Sequence, residues 1–255
     1  MHIETRGHGP ALVLIHGWAM HSGIFAPLAE RLAARFTLHL VDLPGHGRSP
    51  EREGRLDLAD IARRIAAATP PALWLGWSLG GLVALQAALA QPWQARGLVM
   101  LCASPRFVAG PDWPQGVDGS VFRQFGDGLR ADYHATIDRF LALEAHGSDH
   151  MREELRRLRE HVFERGEPAP QVLHEGLRLL DECDLRERLP ELAVPSLWIA
   201  GRRDRLVHWQ AMQAAATLAA DARFLRIDGG GHAPFLTHQD QIAMAIESFA
   251  AEFAP

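Results

Sequence analysis

Short apolar runs alternate along this chain with longer amphipathic stretches. The runs "ALVLIHG" (11–17), "TLHLVD" (37–42), "ALWLG" (72–76) and "GLVMLCA" (97–103) predict strands, and helix-period segments near 24–35, 56–68 and 79–90 separate them. The rhythm returns late, with strands predicted at "SLWIAG" (196–201) and "RFLRI" (223–227) and helices near 208–220 and from about 238. Parallel strands need a crossover segment, so this alternation predicts a mostly parallel central sheet flanked by helices. Between about 104 and 188 the strand signal disappears: a Pro/Gly-rich lead-in, "SPRFVAGPDWPQG", gives way to charged, leucine-punctuated helical segments. The expected organisation is therefore a sheet domain from residues 1–103 and 189–255, with a helical cap (lid) at 104–188 inserted into it.

Composition narrows the chemistry. With 255 residues, 47% of them hydrophobic, the chain has enough apolar material for one substantial core. The formal charge of -5 leaves no global basic field for nucleic acid or an anionic membrane. All 26 basic residues are arginine, so Schiff-base, P-loop and pyridoxal-phosphate lysines are excluded. Cys102 and Cys183 form no C-x-x-C pair, and no secretory leader pattern or uninterrupted apolar run of membrane-spanning length occurs. The expectation is a monomer in the cytoplasm. Despite fourteen histidines there is no H-E-x-x-H, H-x-H or Cys/His cluster, and no G-x-G-x-x-G follows the first strand. No metal and no cofactor are expected.

One motif stands at a junction that gives it meaning. Gly76-Trp77-Ser78-Leu79-Gly80 is G-x-S-x-G between a predicted strand and a predicted helix, the context of a nucleophile held on a sharp turn. A serine hydroxyl needs a base and an orienting carboxylate, here expected in the order Ser, Asp, His. Asp204 lies just beyond a predicted strand end, where ligand-facing residues of open α/β sheets collect, and His232 sits in the glycine-rich "DGGGHAPF". Asp228 competes as the acid, with Asp204 favoured. The backbone N–H groups of Leu79 and Trp18 are the candidate oxyanion donors, while His16 and His46 are assigned to loop packing.

Together these motifs resemble the α/β-hydrolase superfamily over nearly the whole chain. Within it, "LIHGWAMHSGIF", "HLVDLPGHGRS", "GWSLGGLVALQAAL", "ASPRF" with "DWP", "RFLALE" and "GGGHAPFLTH" resemble the family of pimeloyl-acyl-carrier-protein methyl ester carboxylesterases of biotin synthesis. The resemblance implies a Ser78, Asp204, His232 triad, with substrate contacts at Trp18, Leu79 and the segment Phe140, Leu141, Ala142, Leu143 and Glu144. It also implies an acyl carrier protein as partner, bound through Arg139, Arg152 and Arg156. Two positions depart from the family pattern: "RFLALQ" becomes "RFLALE", which introduces Glu144, and a cap position often basic is Ala135.

The residues themselves leave a choice in the cap. In "MREELRRLREHVFER", Arg152, Arg156 and Arg159 recur on one helical face, suited to a phosphate or an acidic helix. Glu153, Glu154 and Glu160 allow instead a solvated, salt-bridged helix. The same triad would also serve a general short-chain carboxylesterase of small esters, an enol-lactonase or a carbon–carbon bond hydrolase. A non-catalytic small-molecule receptor on this fold is the alternative outside enzymes.

Overall fold

The computed structural model describes residues 1–50 and 55–252. Its sheet has seven strands: β1 (His2–Gly7), β2 (Ala11–Ile15), β3 (Thr37–Asp42), β4 (Ala72–Trp77), β5 (Ala95–Leu101), β6 (Ser196–Gly201) and β7 (Ala222–Ile227). They lie in the order β1-β3-β2-β4-β5-β6-β7, with only the β1–β3 pair antiparallel. From β2 the chain first goes outward to β3 and then returns to the other side at β4. The β2/β4 boundary is thus the topological switch point, where open α/β sheets leave a crevice beyond the strand C-termini. Every residue of β4 and β6 is buried, because helices cover both faces of a parallel sheet and leave no polar side.

Helices α1 (Ala26–Leu32), α2 (Leu58–Ala68), α3 (Leu79–Ala90), α8 (Trp209–Ala216) and α9 (Gln239–Ala250) belong to this layer system. In α2 the buried residues Leu58, Ile61, Ala62, Ile65 and Ala66 follow the helical period, and the Asp57 side chain caps the helix by accepting from the Asp60 N–H. Full burial of each of its leucine and isoleucine side chains is worth roughly 1.5–3 kcal/mol. α3 is buried almost all round, since it packs on β4 and β5, against α2, and at its edge against the inserted region.

That region carries four helices between β5 and β6: α4 (Ser120–Ala131), α5 (Tyr133–Ala145), α6 (Met151–Val162) and α7 (Pro170–Glu182). α4 packs on α5 and α7, and α5 packs on α6. Arg165, just after α6, ties this layer to the sheet: it donates to Ser22 Oγ at 2.9 Å and lies 3.6 Å from the buried Asp42 carboxylate. The edge strand β1 falls outside the elements that patterning predicts, because "HIETRG" is only partly buried and lacks an apolar run. Among the described residues, no helix is long and apolar enough to cross a membrane.

Candidate active site

Ser78 follows directly on β4 and serves as N-cap of α3, with φ 54° and ψ -121°, a region that side chains other than glycine rarely occupy. The strain is held by two bonds: Ser78 N–H donates to Leu101 O at 3.1 Å, and Gly81 N–H donates to Ser78 O at 2.9 Å. Glycine is obligatory around it. A Cβ on Gly76 would overlap the Gly80 carbonyl, and one on Gly80 would overlap the Ile15 carbonyl of β2. The elbow is therefore clamped between two neighbouring strands with its hydroxyl projecting at the switch point.

His232 Nε2 lies 2.9 Å from Ser78 Oγ, and His232 Nδ1 lies 2.7 Å from Asp204 Oδ2. The other carboxylate oxygen, Asp204 Oδ1, accepts from the N–H groups of Leu206 at 2.8 Å and Val207 at 2.9 Å, which fixes the carboxylate plane. All three side chains are buried. Burial lowers the His232 pKa, but attraction and hydrogen bonding to Asp204 outweigh it, with Glu144 and Glu154 adding to a net rise. Asp228 is elsewhere: its side chain is 69% exposed and pairs with Arg226 and Arg202.

The loop after β2 closes one side. Gly17 passes so near that a Cβ there would come within 3.2 Å of Ser78 Cβ, and Met20 N–H donates to Gly17 O across a turn with Ala19 at φ 62°. Trp18 and Leu79 thus flank the serine, the latter as the first residue of α3, where N–H groups have no intrahelical acceptor. His16 holds two loops together. Its Nε2 accepts from Leu43 N–H at 2.9 Å while its Nδ1 donates to Gly17 O at 2.8 Å, and burial beside His46 drives its pKa down to about 3. His46 packs against it at 5.2 Å.

Helices α5 and α7 form the roof. The Trp18 indole donates to Leu173 O of α7 at 2.8 Å and packs on Phe140 of α5 at 4.5 Å between ring centroids. Phe140, Leu141 and Glu144 are buried, whereas Ala142 and Leu143 are half-buried. Trp77, beside the nucleophile, donates from Nε1 to His232 O at 2.8 Å and packs edge-on against Phe235, so it holds the histidine loop. Sequence reasoning leaves that bond unseen, since its partners are 155 residues apart.

Two buried carboxyls that the motifs do not assign to catalysis crowd the histidine. Glu154 of α6 accepts from Ser148 Oγ and Thr237 Oγ1, each at 2.8 Å. Burial raises its pKa, a rise that those two bonds oppose. Glu144 Oε1 lies 3.9 Å from His232 Nε2, and neither Glu144 oxygen has a hydrogen-bond partner among the described residues. Burial pushes the Glu144 carboxyl from 4.5 up to about 8, against the lowering influence of His232 and with Asp204 and Glu154 adding to the rise. The folded protein thus binds a proton that the unfolded chain releases above 4.5, so this residue's contribution favours folding at low pH and is lost as pH rises toward about 8. Relative to Glu144→Gln, wild-type unfolding free energy is expected to fall by up to roughly 1.4 kcal/mol per pH unit across that window, measured by denaturant unfolding. Parallel pH profiles for the two proteins would show that Glu144 is ionised in the fold.

The arginines divide. Arg152, Arg156 and Arg159 line one shallow surface depression on α6 with Leu155 and Glu160. Arg156 pairs with Glu160 at 2.5 Å, and Arg159 grips Asp138 through two bonds of 2.6 and 2.8 Å. Arg139, on α5, donates to Thr136 Oγ1 at 2.9 Å. A larger groove, about 700 Å³, lies near Pro10, Ala72 and Glu247 at the N-terminal ends of β2 and β4, the opposite end of the strands from Ser78. Among the described residues, no group of three or more His, Cys, Asp or Glu side chains is placed to hold a metal ion.

The chain's relatives agree with this architecture. The α/β-hydrolase-fold family matches residues 10–239. A pimeloyl-[acyl-carrier protein] methyl ester esterase of Xanthomonas oryzae pv. oryzae is 60% identical over 251 residues, covering 98% of this chain and 99% of that protein. Its namesake in Stenotrophomonas maltophilia is 59% identical, covering 100% and 98%. Among solved structures, an esterase from Exiguobacterium antarcticum superposes with a TM-score of 0.85 at 20% identity, covering 97% of this chain and 94% of the other. An enol-lactonase from Burkholderia xenovorans gives 0.84 at 19%, covering 98% and 96%, a likeness of fold alone. The chain belongs to the α/β-hydrolase family, and within it to the family of the pimeloyl-[acyl-carrier protein] methyl ester esterases.

Proposed function

We propose that this protein is a serine carboxylesterase that hydrolyses the methyl ester of a pimeloyl chain carried on acyl carrier protein, freeing the pimeloyl carboxylate for biotin synthesis. The hydrogen-bonded line from Asp204 through His232 to Ser78 carries the chemical part of this reading, and the near-full-length relatives carry the substrate. His232 Nε2 takes the Ser78 proton as Oγ attacks the ester carbon. The N–H groups of Leu79 and Trp18 hold the oxyanion. The C–O bond to the methoxy group then breaks, methanol leaves with the proton from His232, and water cleaves the acyl-enzyme by the same path in reverse roles.

Residues 104–188 act as the cap over a core formed by 1–103 and 189–255, of which 51–54 and 253–255 lie outside the described residues. Phe140 and Trp18 offer an apolar wall for the acyl chain, with Leu141, Ala142, Leu143 and Glu144 continuing it toward the histidine. Ser78 and His232 are fully buried, so substrate reaches them only when the residues that cover them move aside. Arg139, Arg152 and Arg156 face the acidic carrier protein and its phosphate, with Arg156 exchanging its partner Glu160 for the ligand. The protein works as a monomer in the cytoplasm, where Cys102 and Cys183 keep free thiols.

Complementation tests this reading. A biotin auxotroph lacking its own esterase of this type is expected to grow without biotin when supplied with this gene. The Ser78→Ala version is expected not to support growth. Failure of the wild-type protein, expressed and folded, would leave a general esterase.

A further inference from the structure

Buried polar atoms are almost always paired, so an exception beside the reacting groups calls for a partner that arrives with the reaction. Glu144 is that exception. Ser148 and Thr237 both donate to Glu154 Oε1 and leave only Glu154 Oε2 without a partner, whereas both Glu144 oxygens are without a hydrogen-bond partner among the described residues, and its side chain is fully buried. It is also held in place: His232 N–H donates to the Glu144 backbone oxygen at 3.2 Å, and Phe140, one turn earlier on α5, is packed on Trp18. The 3.9 Å from Glu144 Oε1 to His232 Nε2 is too long for a direct hydrogen bond and is the span that one molecule bonded to both atoms would bridge.

We infer that Glu144 seats the hydrolytic water of the deacylation step, accepting one of its hydrogens while His232 Nε2 accepts the other. This rests on the serine-esterase reading above. In the step, the water oxygen bonds to the acyl carbon and one of its protons passes to His232 Nε2. The tetrahedral intermediate then collapses: the carbon–Oγ bond breaks, and the proton on Nε2 returns to Ser78 Oγ. The second hydrogen stays on the product carboxyl until it ionises, and Glu144 neither gains nor loses a proton. The groups facing Glu144 are His232 from the loop after β7, Asp204 from the loop after β6 and Glu154 from α6. With two acidic neighbours and a pKa of about 8, its carboxyl is uncharged near neutrality, so its carbonyl oxygen can accept from water without setting an anion against the developing oxyanion.

An activated ester separates the seat from the rest of the site. A p-nitrophenolate leaving group departs without needing a proton, so acylation by a p-nitrophenyl ester does not use the seat, whereas deacylation does. Pre-steady-state burst kinetics give both rate constants. In Glu144→Leu the ratio of deacylation to acylation is expected to fall about three- to tenfold, the scale of one net hydrogen bond. Acyl-enzyme should accumulate by intact-protein mass, and Glu144→Gln, which keeps an acceptor oxygen, should restore the ratio. Cooperative unfolding of both variants checks the fold. An unchanged ratio in Glu144→Leu, equal slowing of both steps, or a Glu144→Gln protein that behaves like Glu144→Leu would overturn the inference. A wild-type protein that forms no acyl adduct on Ser78 would overturn the serine-esterase reading itself.

Discussion

Replacing Ser78 with alanine is expected to cut ester hydrolysis by about 10⁴- to 10⁶-fold, leaving only what the oxyanion donors and substrate binding contribute. The loss should be chemical and not structural. The positive φ at residue 78 is imposed by the bonds of its backbone to Leu101 and Gly81, neither of which involves the hydroxyl. Alanine meets the same backbone strain as serine, and the methyl group occupies less of a fully buried space. His232 loses one contact but keeps Asp204, and its loop keeps the Trp77 bond. Turnover of a short-chain p-nitrophenyl ester, alongside thermal unfolding, checks both halves. Native-rate turnover by Ser78→Ala would place the nucleophile elsewhere.

Asp204→Asn should cost about 10⁴-fold in kcat, through a tautomer and not through lost packing. Asp204 Oδ1 accepts from two backbone N–H groups, so in the variant the amide oxygen must take that position. The amide nitrogen is then left where Oδ2 stood, 2.7 Å from His232 Nδ1. It can only donate there, which makes Nδ1 an acceptor and puts the imidazole proton on Nε2. That nitrogen then points a hydrogen at Ser78 Oγ and cannot take one. Asp228→Asn is the matched control: Asp228 is exposed and bound to Arg226 and Arg202, so its activity should equal wild type. If the two variants lost activity equally, the orienting carboxylate would be misassigned.

The sheet was legible because its central strands are buried on both faces and therefore appear as unbroken apolar runs, as in "ALWLG". The edge strand β1 shows the limit of that signal. It gains its place from hydrogen bonding to β3, with three of its six residues exposed, and hydrophobicity says little about such a segment. The elbow was legible for a different reason: its glycines are demanded by backbone overlap with Gly80 and Ile15, a local constraint that leaves a fixed spacing. What surrounds the histidine was not. Glu154 sits in a run of charges that suits an exposed helix, yet it is buried because Ser148 and Thr237 satisfy one of its oxygens from 6 and 83 residues away. The arginine face was half legible. Helical spacing brings Arg152, Arg156 and Arg159 together, but the tie from Arg159 to Asp138 depends on how α5 and α6 pack.

The most direct test of the proposed reaction is hydrolysis of purified pimeloyl-acyl-carrier-protein methyl ester by the wild-type protein and by Ser78→Ala, followed by the mass of the carrier-bound product. Wild type is expected to convert the methyl ester to the free carboxylate, and Ser78→Ala to leave it intact. A wild-type protein that cleaves short-chain esters but leaves the carrier-bound methyl ester untouched would contradict that reaction.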